Sequence, residues 1–255
     1  MSRARRIAGR WLPPTVLLLA LGGLWELWVL VRHSPSYLLP SPGRVIGACF
    51  ESAHLLPAHV ATTFGEALAG LLVGAAAGVA LAVLLATIPL ARRVLEPLLV
   101  TSQTIPMIVL APILAFWFGI GYTPKVLVVA LITFFPVAVS TASGLEDADP
   151  DLVDLVRSMG AGPGQVLRVV KVPAAVPAFF AGLRIAAAYA VAGAVIGELV
   201  AGERGLGVFI NRSKASFRID RLFVAVAVIA VLSSVLFAAL GAVARLAAPW
   251  KLEES

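Results

Sequence analysis

The sequence predicts an all-α, multi-pass membrane protein with about six transmembrane helices. The chain is 60% hydrophobic and only 13% charged, whereas about a quarter of the residues in a soluble domain are charged. Several apolar stretches approach the ~20 residues that a helix needs to cross the hydrocarbon core. The net charge of +6 comes mostly from basic residues beside apolar stretches. Lipid headgroups and topology therefore explain it better than nucleic acid, which is not an expected partner.

The apolar stretches predict six spans, at roughly 12–31, 62–89, 96–118, 125–144, 174–199 and 222–244. Four arginines precede the first span, and positive charge near the first helix usually sets orientation. The N-terminus (1–11) is therefore expected in the cytoplasm, and six crossings return the C-terminus there. One domain, 1–255, then has an extracytoplasmic loop at 32–61 and a cytoplasmic loop at 145–173. The basic 204–221 loop is expected on the extracytoplasmic side, so its positive charges oppose the rule on which this orientation rests.

Two features outside the spans have a clear local pattern. Residues Arg44 to Leu55 have an amphipathic spacing, which predicts a helix inside the 32–61 loop. In the second span, the four-residue spacing places a row of glycines on one helix face, where another backbone can approach closely. That row consists of Gly70, Gly74 and Gly78. It fits packing within the chain and also a dimer seam, and both interpretations stay open.

The 145–173 loop predicts two short helices joined by a glycine turn. Asp149 can cap the first helix with Pro150 at its first position, and Gly160 can end it in a left-handed conformation. Pro173 is expected to turn the chain into the next span. The first helix has an apolar stripe of Leu152, Leu155, Val156 and Met159, and the second has Val166, Leu167 and Val170. Such a stripe packs on its own bundle or docks into a groove of a partner.

The spacing of this loop resembles the signature of ABC-importer permeases, which is Glu-Ala-Ala, three residues, Gly, nine residues and Ile-x-Leu-Pro. In this chain Asp154-Leu155-Val156 is followed after three residues by Gly160, and after nine more by Val170-Lys171-Val172-Pro173. The spacing fits, and the departures keep the chemical class, although Asp154 is one methylene shorter than Glu. Further resemblance to the nitrate, sulfonate and taurine branch of type I importers comes from three segments, 37–42, 113–121 and 205–207.

The resemblance implies the type I ABC importer permease fold, with a coupling-helix pair, in a bacterial plasma membrane. It implies a second copy of the chain as a homodimer partner, two cytoplasmic ATPase subunits, an extracytoplasmic binding protein and surrounding lipids. The implied solute is an aliphatic sulfonate, taurine or nitrate, and the alternative is a thiamine precursor or riboflavin. The residues expected to couple to the ATPase are Asp154, Leu155, Arg157, Met159, Gly160, Ala161 and Pro173.

Polar residues near or inside the spans are candidates for the translocation pathway. They are Gln103, Thr104, Ser140, Thr141, Arg184 and Tyr189. Arg184 lies about three turns into the fifth span and would suit an anionic solute or an ion pair with a carboxylate on another span. Packing and interface anchoring are the alternative role for these residues. Glu26, Glu66 and Glu198 are further ionisable residues at the spans.

No catalytic, cofactor or metal site is predicted. None of the four lysines follows a glycine, so the chain lacks the phosphate loop of an ATPase and needs a partner for energy. His54 and His59 are five residues apart with Pro57 between them, a poor arrangement for two metal ligands. An ion-coupled secondary carrier is the competing class and predicts inverted repeats with paired charges. A membrane enzyme would need a nucleophile–base pair, which the sequence does not supply.

Overall fold

The computed structural model describes residues 3–247, and every regular element within that range is helical, which confirms the all-α prediction. Residues 1–2 and 248–255, the predicted cytoplasmic ends, lie outside the described residues. The elements, in chain order, are α1 (Arg3–Arg32), α2 (Pro42–Ser52), α3 (Leu56–Thr87), α4 (Pro89–Ser102), α5 (Met107–Phe118), α6 (Tyr122–Glu146), α7 (Pro150–Ser158), α8 (Pro163–Val166), a π-helical turn (Leu167–Lys171), α9 (Val172–Ala201), α10 (Leu206–Ala215) and α11 (Ile219–Ala247).

Five helices are long and apolar enough to cross a membrane. They cover Thr15–Arg32, Leu56–Thr87, Tyr122–Glu146, Pro163–Ala201 and Ile219–Ala247. They coincide with five of the six predicted spans. The remaining apolar helix, α5, has 12 residues, about 18 Å of rise, which is too short to cross alone.

The prediction of one continuous third span at 96–118 is wrong. The chain breaks between α4 and α5, at residues 103–106. Pro106 has no N–H group and disfavours helical backbone in the residue before it. The hydroxyls of Thr101 and Thr104 donate to the carbonyls of Pro97 and Thr101, and such local bonds compete with regular helix geometry.

The α4–α5 segment nevertheless runs the length of α6. Arg92, near the start of α4, forms a 2.8 Å ion pair with Glu146 at the last residue of α6. The segment ends just before Tyr122, where α6 begins. Since α6 has 25 residues, or about 37 Å of rise, the two short helices together return the chain from one end of α6 to the other.

The predicted turn at Pro173 is also wrong, because α8, the π-helical turn and α9 form one continuous helix over residues 163–201. Pro173 has no N–H group to bond the carbonyl four residues back, which would break a regular helix. The chain widens instead, and the Val172 N–H donates to the Leu167 carbonyl five residues back. Such single π-helical turns are frequent at functional positions.

The described residues form two compact units. The first comprises residues 3–57 and 209–227, and it contains α2, which lies at the predicted amphipathic helix. The ring of Trp25 lies 5.3 Å from that of Phe223. The Glu26 carboxylate, predicted as an ionisable group inside the first span, accepts a 3.1 Å hydrogen bond from the Gly43 N–H. Glu26 therefore ties α1 to the start of α2.

The second unit comprises residues 58–208 and 228–247, and its core lies between α3, α6, α9 and the second part of α11. The glycine row of α3 faces α6: a Cβ atom at Gly78 would lie 2.9 Å from the Phe134 carbonyl, and one at Gly74 2.5 Å from the Ala130 carbonyl. Only glycine permits this approach of two backbones. The row is thus packed within the chain.

Candidate functional site

Helix α7 is a rigid, capped element at the centre of the predicted coupling segment, residues 145–173. The Asp149 carboxylate accepts a 2.9 Å hydrogen bond from the Asp151 N–H, and Pro150 occupies the first helical position. At the other end Gly160 has φ +90°, while the Ala161 N–H donates to the Val156 carbonyl at 3.2 Å. This hydrogen bond and the left-handed conformation of Gly160 are those of a Schellman ending. Both ends of the helix are therefore fixed by the local sequence.

The apolar stripe of α7 is exposed rather than packed. Leu152, Leu155 and Met159 are 50%, 56% and 78% exposed. Val153 is buried and Val156 half-buried, so the helix rests on these two side chains. In the described chain the outward stripe has nothing over it. This arrangement favours docking into a partner over packing on the bundle, the two interpretations that the sequence left open.

The remaining coupling candidates surround this stripe. Asp154 and Arg157 are exposed and 3.6 Å apart, a pair that contributes little to stability on its own. Gly160 and Ala161 form the turn that follows. Pro173 lies on α9, beyond the π-helical turn. The structure thus places Asp154 to Ala161 together, on α7 and in the turn that follows it. Pro173 lies on the helix that connects this turn to the bundle.

The pathway candidates do not form one cluster. Gln103 and Thr104 are exposed at the break between α4 and α5. Tyr189 is exposed on α9. Ser140 packs where α6 crosses Gly182, at which a Cβ atom would lie 2.7 Å from that of Ser140. Thr141 is buried.

Arg184 has no carboxylate partner among the described side chains. Its guanidinium carbon lies 4.4 Å from the ring centroid of Phe237 on α11, and its buried Nε has no hydrogen-bond partner. Gly241 leaves room for it. Arg184 is 12 residues into α9, so it lies about 18 Å from the start of that helix. The anticipated ion pair is not formed, and the cation is held by an aromatic face instead.

A buried ionic cluster lies at the end of the second unit opposite the coupling segment. Lys125, in the first turn of α6, forms an ion pair with the Glu66 carboxylate of α3, and both side chains are almost fully buried. Glu198, in the last turn of α9, lies close enough to Glu66 to interact with it. Three helices thus contribute one cation and two carboxyl groups to a water-poor site.

The cluster also fixes the loop that follows α9. The Thr63 hydroxyl donates to Glu198 Oε1 at 2.6 Å and accepts from the Leu206 N–H at 2.8 Å. The Gly207 N–H donates to Glu198 Oε2 at 2.6 Å. Gly205 has φ +121°, and a Cβ atom there would overlap the Glu198 carboxyl group. Glycine is therefore required at position 205 for both its backbone conformation and its size.

Sequence reasoning identified Glu66 and Glu198 singly but not the cluster. Lys125 was not among the candidate residues. The signal was available: all three residues lie at span ends that face the same side of the membrane. His59, considered above as a metal ligand, places Nδ1 2.8 Å from the Gly205 carbonyl oxygen and 3.1 Å from its N–H nitrogen. His59 therefore contacts the loop that follows α9.

In the first unit, paired charges account for part of the basic 204–221 loop. Arg218 binds Glu51 at 2.7 Å and Asp220 through two parallel contacts of 3.0 and 2.9 Å. Arg221 lies 3.8 Å from the same Glu51 carboxylate. The hydrogen bond and charge of Arg218 hold the pKa of Glu51 below its usual range. Two of the cations that oppose the charge bias are thus neutralised locally.

Comparisons with known proteins agree on one family. Residues 70–251 match the family described as the binding-protein-dependent transport system inner membrane component. The chain is 37% identical to the riboflavin transport system permease protein RibX of Chloroflexus aurantiacus, over 94% of this chain and 90% of that protein. It is 35% identical to the formylaminopyrimidine transport permease protein ThiX of Halalkalibacterium halodurans, over 95% and 97%. It is 29% identical to the taurine transport system permease protein TauC of Escherichia coli, over 97% and 94%.

The fold has a counterpart among solved structures. A chain of the inward-facing MetNI methionine ABC transporter superposes with a TM-score of 0.65 and 21% identity, covering 74% of this chain and 94% of that one. This likeness confirms the predicted type I importer permease fold.

Proposed function

We propose that this chain, which belongs to the family of binding-protein-dependent transport system inner membrane components, forms the solute pore of an ATP-driven importer. Permeases of this family work with a separate ATPase subunit and a binding protein. The observation that carries the proposal is the exposed stripe of Leu152, Leu155 and Met159 on a helix capped at both ends. It is a preformed, rigid anchor for a groove on the ATPase.

The connection from this anchor to the bundle is direct. From Pro163 the chain continues as one helix through the π-helical turn into α9, which packs extensively against α6. Movement of an ATPase that holds α7 would reach the start of α9 through the short turn at Gly160–Gly162. The family signature has Glu where this chain has Asp154. This difference shortens only an exposed side chain beside Arg157.

The break between α4 and α5 supports a solute path along this segment. Non-helical backbone at membrane depth is tolerated where it lines a water-filled cavity or is buried in protein. Gln103 and Thr104 are exposed at the break, and discontinuous helices often form solute sites in transporters. Gln103 and Thr104 are therefore the first pathway positions to test.

The identities of the relatives favour a nitrogen heterocycle as the solute. The relatives named for riboflavin and formylaminopyrimidine are 37% and 35% identical to this chain, whereas the one named for taurine is 29% identical. A sulfonate, taurine or nitrate is therefore the second candidate solute. One observation still supports it: Arg184 has no anionic partner among the described side chains. Thermal shifts of the partner binding protein with riboflavin, formylaminopyrimidine, taurine and nitrate separate the two classes.

A second copy of the chain is the proposed partner within the membrane. The glycine row of α3 is already occupied by α6, so it does not provide the seam. Helix α5 offers an uncovered apolar surface instead, with Ile108, Val109, Phe116 and Trp117 exposed. Both termini are proposed to lie in the cytoplasm of a bacterial cell.

The coupling proposal is tested by a pair of charge insertions. In the Leu155→Asp/Met159→Asp variant the exposed stripe becomes acidic, and we expect copurification with the ATPase and ATP-driven uptake in proteoliposomes to be lost. Leu38→Asp/Phe50→Asp changes two equally exposed apolar residues outside the coupling segment and is expected to keep the ATPase bound. Full assembly and uptake in the first variant would refute the coupling role.

The competing carrier hypothesis is tested in the same proteoliposomes. The Lys125–Glu66 pair places buried charges near the ends of two spans, and an ion-coupled carrier also relies on paired charges. For an importer, uptake requires ATP and continues when a protonophore removes the proton gradient. Uptake that persists without ATP and stops with the protonophore would establish the carrier instead.

A further inference from the structure

A cavity of about 220 Å³ lies between α3, α6 and α9, at the end of the bundle next to the coupling segment. Apart from Thr141 its lining is apolar, and it includes Val83, Leu145, Val176 and Phe179. Val172 also lines it and is 42% exposed, so the cavity opens to the surface beside Val172. An apolar cavity of about 150 Å³ in another protein stays dry and admits benzene. This one is large enough for part of a hydrocarbon chain.

Thr141 lines this cavity through its apolar atoms, since no polar atom is exposed to the cavity. The residue is only 5% exposed, and its hydroxyl has no hydrogen-bond partner among the described residues. A buried hydroxyl without a partner is uncommon because its desolvation is not repaid. The hydroxyl nevertheless takes no part in lining the cavity, so an occupant meets an apolar wall.

Two cations precede Val172, which lines the cavity, on the same helix. Arg168 and Lys171 are within one turn of Val172 on the same continuous helix. Arg168 is exposed and Lys171 half-buried, and neither forms an ion pair within residues 3–247. Basic residues at the cytoplasmic end of a span attract anionic lipid headgroups.

We propose that this cavity holds an acyl chain of an anionic phospholipid whose headgroup is bound by Arg168 and Lys171. The inference rests on the proposed orientation, in which the coupling segment faces the cytoplasm. A docked protein could pair with the two cations but does not reach Phe179, which lies seven residues, or about 10 Å, beyond Val172 along the helix. An amphiphile with an anionic head matches both the cations and the apolar interior. The lipid would then contact the π-helical turn that links α8 to α9.

The test is native mass spectrometry of the detergent-purified protein with the subunits that copurify. It is titrated with phosphatidylglycerol or with phosphatidylcholine carrying the same acyl chains. From the two cations we expect a roughly ten- to thirtyfold preference for phosphatidylglycerol. Arg168→Gln/Lys171→Gln removes that preference, whereas Arg93→Gln/Arg245→Gln, which removes two other exposed cations, keeps it. Val172→Trp narrows the mouth and weakens binding of both lipids.

The outcomes separate this site from its alternatives. If Arg168→Gln/Lys171→Gln keeps the preference for phosphatidylglycerol, the proposal is overturned. It is also overturned if the Arg93→Gln/Arg245→Gln control loses that preference equally, because general surface charge would then explain it. Loss of ATPase copurification with unchanged lipid binding assigns the two cations to the ATPase and also overturns it. Failure of the lipid site leaves ATP-driven uptake intact, so it is distinguishable from failure of the proposed function.

Discussion

Lys125 is the residue on which the buried ionic cluster depends, because it is the cation of the cluster and is paired with Glu66. In Lys125→Met, Glu66 is left buried without its partner. Breaking a buried pair in this way costs about 3–5 kcal/mol. We expect a clearly lower midpoint of thermal unfolding, measured by fluorescence-detected size exclusion after heating.

The double variant Lys125→Met/Glu66→Gln distinguishes charge from packing. It removes both charged partners, so much of the lost stability should return. Glu198 keeps its bonds to Thr63 and the Gly207 N–H in this variant. If the single and double variants unfold at the same temperature, the pair makes no net electrostatic contribution and the cluster is held by packing alone.

Glu51 gives the first unit a dependence on pH. Its pKa is lowered in the folded protein by the hydrogen bond and charge of Arg218. A lowered folded pKa means that the contribution is fully present above the unfolded value, ~4.3. It is lost as pH falls through the folded pKa. Because Glu51 is solvent-exposed, the effect is small and local.

Hydrogen exchange measures this local effect. The N–H groups of Arg221 and Leu222 bond to the Arg218 carbonyl. After correction for intrinsic exchange, their protection should fall as pH drops below ~4.3. In Glu51→Gln the protection of these N–H groups should be lower at neutral pH than in the unsubstituted protein. The further loss of protection on acidification should be correspondingly smaller. Identical profiles for the two proteins would contradict the role of the pair.

At the scale of elements, the end of α7 makes the coupling helix rigid. Gly160 has φ +90°, a conformation that costs a residue with a Cβ atom roughly 1–2 kcal/mol. Gly160→Ala should therefore loosen the turn, seen as faster hydrogen exchange at the N–H groups of residues 160 and 161, and should reduce ATP-driven uptake. Gly162→Ala is the matched control, since Gly162 has φ −74° and open space around its Cα. Equal effects would refute the conformational argument.

Local sequence predicted the elements well where one interaction decided the outcome. Asp149, Pro150 and Gly160 predicted both ends of α7, because caps act within a few residues. The predictions failed where two local effects competed. Pro106 breaks the third span, yet Pro173 and Pro177 are carried inside α9, since a π-helical turn can absorb Pro173. Both places have prolines within an apolar stretch, so the presence of proline alone does not predict which of the two breaks.

The site was less predictable than the elements, because it depends on residues far apart in the chain. The outward direction of Leu155 and Met159 follows from how Val153 packs, which a stripe of spacing i, i+3 and i+4 does not determine. Lys125 and Glu66 are 59 residues apart, and Lys125 meets Glu66 only once α3 and α6 are aligned through the glycine row. Long-range register of this kind is not contained in local periodicity.

At the scale of the whole molecule, the Arg92–Glu146 pair indicates the number of crossings. It shows that the broken α4–α5 segment runs the length of α6. Three crossings, by α3, by α4 with α5, and by α6, therefore separate the loop after α1 from the loop that contains α7. The two loops are expected on opposite faces of the membrane.

The single cysteine of the chain provides the measurement. Cys49 is exposed in α2, and Ser158 is exposed at the end of α7. A membrane-impermeant maleimide should label Cys49 in intact cells, whereas Cys49→Ser/Ser158→Cys should be labelled only in inverted vesicles. Cys49→Ser alone controls for background. Labelling of both positions from one side would mean that α4 and α5 do not cross together. Labelling of Cys49 only in inverted vesicles would reverse the orientation and remove the coupling segment from the face where ATP is available.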